Sequence, residues 1–514
     1  MDKPWRIIIL GGGTAGWMAA NLFAKQWPRE QVQITLIEAP EIPIIGVGEG
    51  STPSLKRFFK TLDIPECEWM PECQATYKAN IRFVDWSPAS GVSDYSHPFY
   101  SQPDVFNERA FFTNCRTRRL GLDVVTKPER FFVNGELARQ GKAPVAPKSF
   151  PFHMEYGYHF DSQLLGRYLA RVAAARGVIH RQATFTQVLR NNAGDISALQ
   201  TRAGDVIDGD FFIDCTGFSS LLMQQGLGVP FRSYAQQLFN DSAVVMPSAA
   251  AQHVPVETRS TALTAGWCWH IPLMHRSGNG YVYSSQFMSK DQAEAEFRAH
   301  LGVSDSAQEC RHLKMRVGQL EQHWAFNCVG LGLSQGFIEP LEATALHLVQ
   351  LTIEALIDAL DQHQFTCGGR EQFNRTVNNH FEGVRDYILA HYKLNTRGLV
   401  NGAGDDAGYW RANRDNKHVP ESLLQLLDVW FRCGDLEEEF AQRKIKPAFN
   451  AASWHCLLAG YGAFPPLAPN QPGQGKGDLY RECEVANFVE GCALNFPLHK
   501  ALLMNDRKLT EPGP

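Results

Sequence analysis

The apolar positions of this chain follow three different rhythms. Ile7, Ile8, Ile9 and Leu10 form an unbroken apolar run, which predicts a strand buried on both faces, as in a parallel sheet. Glycines at 11, 12, 13 and 16 follow it and predict a turn into a helix starting near Thr14. A second run at residues 32–37 ends on Glu38, and a third at 211–213 ends on Asp214. Period-two alternation takes over at residues 76–86. Tyr77, Ala79, Ile81 and Phe83 share one face there, and Lys78, Asn80 and Arg82 the other. That pattern predicts an amphipathic strand with a solvated Lys78. Helical spacing marks Leu55, Phe58, Phe59 and Leu62, after Thr52 as N-cap and Pro53 in the first turn. It recurs in Leu346, Val349, Ile353, Leu356 and Leu360, on a helix whose first turn carries Glu342. Residues 87–151 lack a regular pattern and read as a turn-rich, aromatic segment covering a site or partner.

Composition narrows the class. The 514 residues are enough for two domains or one large interleaved one, and 44% hydrophobic with 20% charged residues describes an ordinary globular protein. With 49 basic and 54 acidic residues and no long basic run, nucleic acid and anionic membrane are not expected as main partners. The 12 cysteines show no metal-like spacing, so no metal is expected, and they read as reduced thiols of a cytoplasmic protein. No apolar span reaches membrane length, and a strand beginning by Trp5 leaves no room for a signal peptide.

Candidate chemistry begins at the first turn. Gly11, Gly13 and Gly16 fit a Gly-x-Gly-x-x-Gly dinucleotide turn: one glycine bends the chain, one admits a pyrophosphate, and one lets helix and strand pack closely. Amides of Thr14 and Ala15 at the helix start would hold the diphosphate, and Glu38 would accept from a ribose hydroxyl. The glycine-dense loop containing Gly48 and Glu49 suits either a flat ligand or a plain connection. Asp214 ends a strand of the kind that brings backbone to an adenosine or ribose, although a hairpin before a buried strand gives the same letters. Trp267 and Trp269, two residues apart on one strand, would form a flat aromatic wall or simply a heavy core. The first-turn amides near Thr344 and Ala345 could hold an anion, while Glu342 is most simply a helix starter matched to the dipole.

Together these elements resemble the flavin-dependent tryptophan halogenases. The resemblance runs from Gly11–Trp17 through Gly46-Val47-Gly48-Glu49 and Tyr77-Lys78-Ala79 to the Trp267-x-Trp269-x-Ile271-Pro272 signature. It continues through Gly336 and Glu339-Pro340-Leu341-Glu342-Ala343-Thr344, residues 385–392 and residues 409–414. The resemblance implies an α/β fold, with an FAD-binding Rossmann-type module of the aromatic-hydroxylase kind at residues 1–380. That module includes an interleaved substrate-facing sheet, and a mainly helical region at 381–514 closes the substrate pocket. It implies FAD, supplied as FADH2 by a separate flavin reductase, a halide ion, and a small aromatic, indolic substrate chlorinated or brominated through hypohalous acid. Lys78 matches the lysine that positions hypohalous acid, Glu342 the base and electrostatic stabiliser, and Thr344 and Ala345 the halide site. The usual glycine at the last position is alanine here. Trp267 and Trp269 match the signature that screens flavin from substrate. His97, Phe99, Trp454 and His455 are the substrate candidates. The sequence leaves open a homodimer, a flavin monooxygenase or oxidase, and a non-catalytic FAD-binding protein on the same scaffold.

Overall fold

Residues 3–41, 48–304, 307–399, 408–443, 447–469 and 477–508 are described by a computed structural model of the chain. Of the glycine-rich loop, Gly48 onward falls within them and residues 42–47 lie outside. The chain forms two units, each assembled from three stretches: Met1–Gln74, Phe160–Ala235 and Met315–Glu382 in the first, and Ala75–His159, Gln236–Lys314 and Gly383–Pro514 in the second. The division therefore does not fall at residue 380. The sheet grouped above with the flavin module belongs instead with the C-terminal helices.

The first unit is organised by the opening apolar run. Strand Trp5–Leu10 pairs in parallel with Val32–Glu38 on one side and Phe211–Asp214 on the other. Ile179–Gln182 and Cys328–Gly330 extend the sheet in parallel, and Trp324–Ala325 closes one edge antiparallel. Ile7, Ile8 and Ile9 are buried, as a strand covered on both faces requires. Helix Thr14–Gln26 packs between helices Ser162–Ala175 and Ala345–Gln362. Val349, Ile353, Leu356 and Leu360 form the buried stripe of the last helix.

A seven-stranded sheet forms the second unit. Its order is Arg311–Lys314, Ser242–Ala249, Arg276–Tyr283, Gly266–Pro272, Glu257–Leu263, Asn80–Ser87 and Val92–Pro98. All neighbours are antiparallel except Glu257–Leu263 with Asn80–Ser87. The expected single strand over 76–86 is two, Thr76–Lys78 and Asn80–Ser87, parted at Ala79. The first of these pairs with Gly157–Asp161 in another sheet. Residues 87–151 are also more regular than their letters suggest, with helices Val105–Arg119 and Val133–Arg139. Helix Ala451–Gly460 approaches Val92–Pro98 so closely that a Cβ on Gly460 would lie 2.2 Å from the Tyr95 ring.

Trp267 and Trp269 are both buried, with centroids 6.1 Å apart and ring planes 56° to each other, so the flat wall is not formed. The Trp269 indole lies over its cross-strand partner Gly280, where a Cβ would sit 2.1 Å from the ring. Gly280→Ala is expected to overpack this site at a cost of about 1–3 kcal/mol. The check is a melting temperature lowered by a few degrees in thermal denaturation, with Gly91→Ala, whose Cβ meets open space, as a comparison despite its own positive φ.

Candidate active site

The nucleotide turn has the geometry its glycines imply. Gly11 adopts φ +117°, and a Cβ there would lie 2.2 Å from the Cys215 carbonyl oxygen. A Cβ on Gly16 would meet the Gly11 carbonyl at 2.1 Å, so this glycine is needed for the close pass of helix over strand. Gly13 meets nothing within 4 Å and leaves the approach to the helix start open. Thr14 and Ala15 begin the helix there, with Gly13 as an N-cap that offers no side-chain acceptor. Open space against free first-turn amides fits the pyrophosphate of FAD. Glu38 closes its strand and accepts from His180 Nε2 at 2.8 Å.

The four further cofactor candidates, Asp214, Gly336, Gly48 and Glu49, each sit in local structure of their own. Asp214 is fully buried, and its carboxylate accepts from the amides of Thr216, Leu222 and Met223 and from the Thr216 hydroxyl. Those four donors hold the turn after the strand, and the Asp214 carbonyl also accepts, from Leu331 N and the Ser334 hydroxyl, so the group is engaged in local structure. Gly336 lies in a short strand where a Cβ would meet Gly318 O at 2.7 Å and the Phe381 ring at 2.8 Å, so packing alone demands glycine. Gly48 is buried and begins a three-residue strand, and Glu49 beside it is half-buried. Burial pushes the Glu49 carboxyl up to about 7; the charge of Asp161 adds to this, and a hydrogen bond with Ser162 opposes it. Near neutral pH this group can therefore both donate and accept.

Glu342 is not in the first helical turn. It ends a short 3-10 turn, Pro340–Glu342, and is buried. Ala343 then takes φ +55° before the helix starts at Ala345. A left-handed alanine costs on the order of 1–2 kcal/mol, a strain the surrounding structure must hold in place. Thr344 precedes the helix, and among the described residues its buried Oγ1 meets no hydrogen-bond partner. A buried hydroxyl left over beside the first amides of an 18-residue helix suits a small anion.

Lys78 ends its short strand fully buried, contrary to the solvated lysine that alternation predicts. Asn80, on the same expected polar face, is buried as well. Across the ladder Lys78 faces Gly157, which offers no side chain, and its ammonium lies 5.4 Å from the centre of the Phe99 ring. One residue before Tyr77, the Thr76 hydroxyl donates to Pro272 O at 2.8 Å. It therefore accepts from His159 Nδ1 at 3.1 Å, and His159 Nε2 in turn accepts from the Thr258 hydroxyl at 2.9 Å. Burial, reinforced by the charge of Lys78, drives the His159 imidazole well below its ordinary pKa and keeps it neutral.

The substrate candidates separate. His97 lies 5.8 Å from the ring of Tyr387, and Trp454 meets the same tyrosine edge-on at 4.9 Å. Phe449 stacks on Tyr387 at 3.6 Å and completes an aromatic cluster. His455, one residue further along the helix, faces away from it. It stacks on Phe112 at 4.0 Å, meets Trp430 at 5.3 Å, and donates from Nδ1 to Ala451 O. Neighbours on a helix diverge by about 100°, so two adjacent aromatic residues cannot both line one pocket. His455 is a core residue. Tyr387 entered the sequence reading only as part of the 385–392 stretch, without a role, and Phe449, His159 and Thr258 were not singled out. Phe449 carries no motif of its own, and His159 sits in a plain aromatic run.

The tryptophan halogenase family profile matches residues 6–471. The chain belongs to that family. It is 34% identical to a tryptophan 6-halogenase of Streptomyces toxytricini, over 95% of this chain and 96% of that protein. With a tryptophan 7-halogenase of Lentzea aerocolonigenes it shares 32% identity, over 95% of this chain and 94% of that one. A flavin-dependent halogenase structure from Xanthomonas campestris superposes with a TM-score of 0.83 at 31% identity, covering 100% of this chain and 99% of the other. This halogenase accordingly has the mixed α/β fold of flavin-dependent enzymes and uses FAD and a halide. Among its described residues no cluster of His, Cys, Asp or Glu could hold a metal, and no helix is long and apolar enough to cross a membrane.

The core placement of His455 has a pH consequence. Burial pushes its imidazole down to about 4, so the folded halogenase binds fewer protons here than the unfolded chain. The stability this contributes is complete above the ordinary histidine value near 6.5 and is lost as pH falls towards 4. His455→Phe should remove the effect: between pH 7 and 5.5 the parent should lose on the order of 1 kcal/mol more stability than the variant. Melting temperatures at the two pH values check this, and equal losses in both proteins would count against it.

Proposed function

We propose that this protein halogenates an electron-rich, indolic arene, with Lys78 and Glu342 as its catalytic residues. Bound FADH2, delivered by a separate reductase, supplies with dioxygen the oxidising power that converts halide to hypohalous acid. The Thr344 and Ala345 amides and the leftover Thr344 hydroxyl would hold the halide. The observation that carries the reading is the complete burial of Lys78. A lysine kept in a dry strand end, against an aromatic ring and opposite a glycine, has a costly desolvation that ordinary surface chemistry does not require.

The chemistry balances with these two residues. The arene carbon forms a bond to the halogen of hypohalous acid, and the halogen–oxygen bond breaks. Lys78 hydrogen-bonds that oxygen and delivers a proton to the departing hydroxide, which leaves as water. Glu342 stabilises the positive charge on the ring and takes the ring proton, which restores aromaticity. A flavin monooxygenase on the same scaffold would form a hydroxylated product without halide. Mass spectrometry of products formed with reductase, with and without bromide or chloride, separates the two readings.

Lys78→Ala is expected to abolish halogenation while leaving FAD binding intact, and Glu342→Gln to lower turnover by roughly two orders of magnitude. Near-parental halogenation by Lys78→Ala would defeat the assignment.

Free tryptophan is not expected to be the preferred substrate. Its ammonium and carboxylate need fixed polar partners, and buried charges without them cost several kcal/mol. Among the described residues, polar groups next to Trp454 in the chain are committed elsewhere. The Asn450 side chain caps Ser453 N, the Tyr387 hydroxyl donates to Ser453 O, and His455 faces Phe112. The aromatic cluster around Tyr387 suits a flat neutral ring. The comparison is kcat/KM for indole against tryptophan under one reductase system, and a clear preference for tryptophan would overturn the expectation.

A further inference from the structure

The short strand that carries Lys78 is gripped at a second point, by a residue more than four hundred positions away in sequence. His499 begins the C-terminal helix His499–Lys508 and is buried. Its Nε2 lies 3.1 Å from the backbone nitrogen of Tyr77, the residue before Lys78, and its Nδ1 lies 3.0 Å from Val254 O. A carbonyl can only accept, so Nδ1 carries the proton, and Nε2 is left as the acceptor for the Tyr77 N–H. One imidazole thus ties the lysine strand to the segment before strand Glu257–Leu263.

His499 is itself held by backbone on both sides. Its amide donates to Gly141 O at 2.9 Å, and Ala143 N donates to Pro497 O at 3.0 Å. Lys142 and Leu498 form an antiparallel bridge between these bonds. Lys142 Nζ reaches Ala493 O, and Lys500 Nζ reaches Gln252 O. The C-terminal segment is therefore docked as a clasp, with one imidazole inserted from it into the interior. Thr76 is clamped through its side chain by His159, Tyr77 through its amide by His499, and Lys78 follows directly. Burial pushes the His499 imidazole down to about 4, so it stays an acceptor throughout the neutral range.

We propose that His499 is a positioning residue for Lys78, acting through the Tyr77 amide to fix the strand from which the lysine projects. The inference rests on the assignment of Lys78 to the halogen-transfer step. A hydrogen bond to the backbone one residue away sets where the Lys78 stem begins. Small displacements of a reacting group carry large rate penalties. Loss of the acceptor also leaves a buried N–H unsatisfied, which favours a shift of the strand.

The test uses the full-length holoenzyme with reductase and compares His499→Gln, His499→Asn and His499→Ala. A glutamine side chain places an oxygen where Nε2 stands and can still accept from Tyr77 N. Asparagine reaches only as far as Nδ1 and cannot. The expected result is a kcat for halogenation reduced by about 10- to 100-fold in the alanine and asparagine variants. KM for the arene and affinity for FAD should be unchanged, and glutamine should recover most of the rate. Hydrogen exchange at the peptide containing Tyr77 should speed up in the alanine and asparagine variants and stay slow with glutamine. Equal rates in the asparagine and glutamine variants would overturn the proposal, as would a loss confined to KM. If Lys78→Ala proves active, the catalytic assignment fails. If Lys78→Ala is inactive while His499→Asn keeps the parental kcat, only the positioning role fails.

Discussion

A buried ammonium is the constraint around which the second unit is arranged. Moving a charged amine out of water costs several kcal/mol even after relaxation, and a second cation nearby would add to that cost. The residues around Lys78 answer both demands. Phe99 presents a ring to the charge, and Gly157 leaves space across the ladder. The two imidazoles that grip the strand are locked as neutral tautomers by fixed donors and acceptors. A neutral histidine can hold a strand through its ring nitrogens without repelling the lysine that strand carries, whereas an arginine or lysine in its place could not.

On the proposed roles, the first unit would meet the opposite electrostatic problem, that of receiving anions. Among its helix starts without a side-chain cap are those after Gly13 and after Thr344. A capping side chain at either place would satisfy the first amides and compete with a phosphate or halide for them. At the second start the chain accepts a left-handed Ala343, where a glycine would relieve the strain, and opens the helix on Ala345. These choices stiffen the backbone around Glu342. They keep the carboxylate-bearing turn in one conformation at a local energetic cost.

Much of this architecture was legible because its signals are local. The Ile7–Leu10 run, the glycine turn, the acid at 38 and the Val349–Leu360 stripe each predict an element that forms as read. Several of the failures share one cause, which is polar residues with buried partners. Lys78 and Asn80 read as a wet face because alternation counts letters, and nothing in the letters shows a second layer over them. Helix Val105–Arg119 escaped notice because its inward positions include Asn107, Asn114, Thr117 and Arg119, which break the apolar rhythm. Asp214 looked available to a ligand because its four donors come from a turn that the sequence does not announce. Fold class depends on apolar periodicity and was readable, whereas site geometry depends on which polar groups find partners.

The same distinction bears on specificity. Chemistry and recognition draw on different kinds of residue in the second unit. Lys78 is fixed through backbone and imidazole contacts that reach into the C-terminal clasp. The ring-binding candidates are fixed by aromatic packing around Tyr387, with Phe449 stacked on one face and Trp454 against an edge. Directional hydrogen bonds tolerate little displacement, while aromatic contacts accept a range of offsets at similar energy. Substitutions in the Tyr387 cluster would therefore change the aromatic contacts without replacing a residue of the lysine strand. On the roles proposed for Lys78 and for the Tyr387 cluster, the aromatic residues facing the substrate would be the ones to change when specificity changes, with the halogen-transfer residues kept.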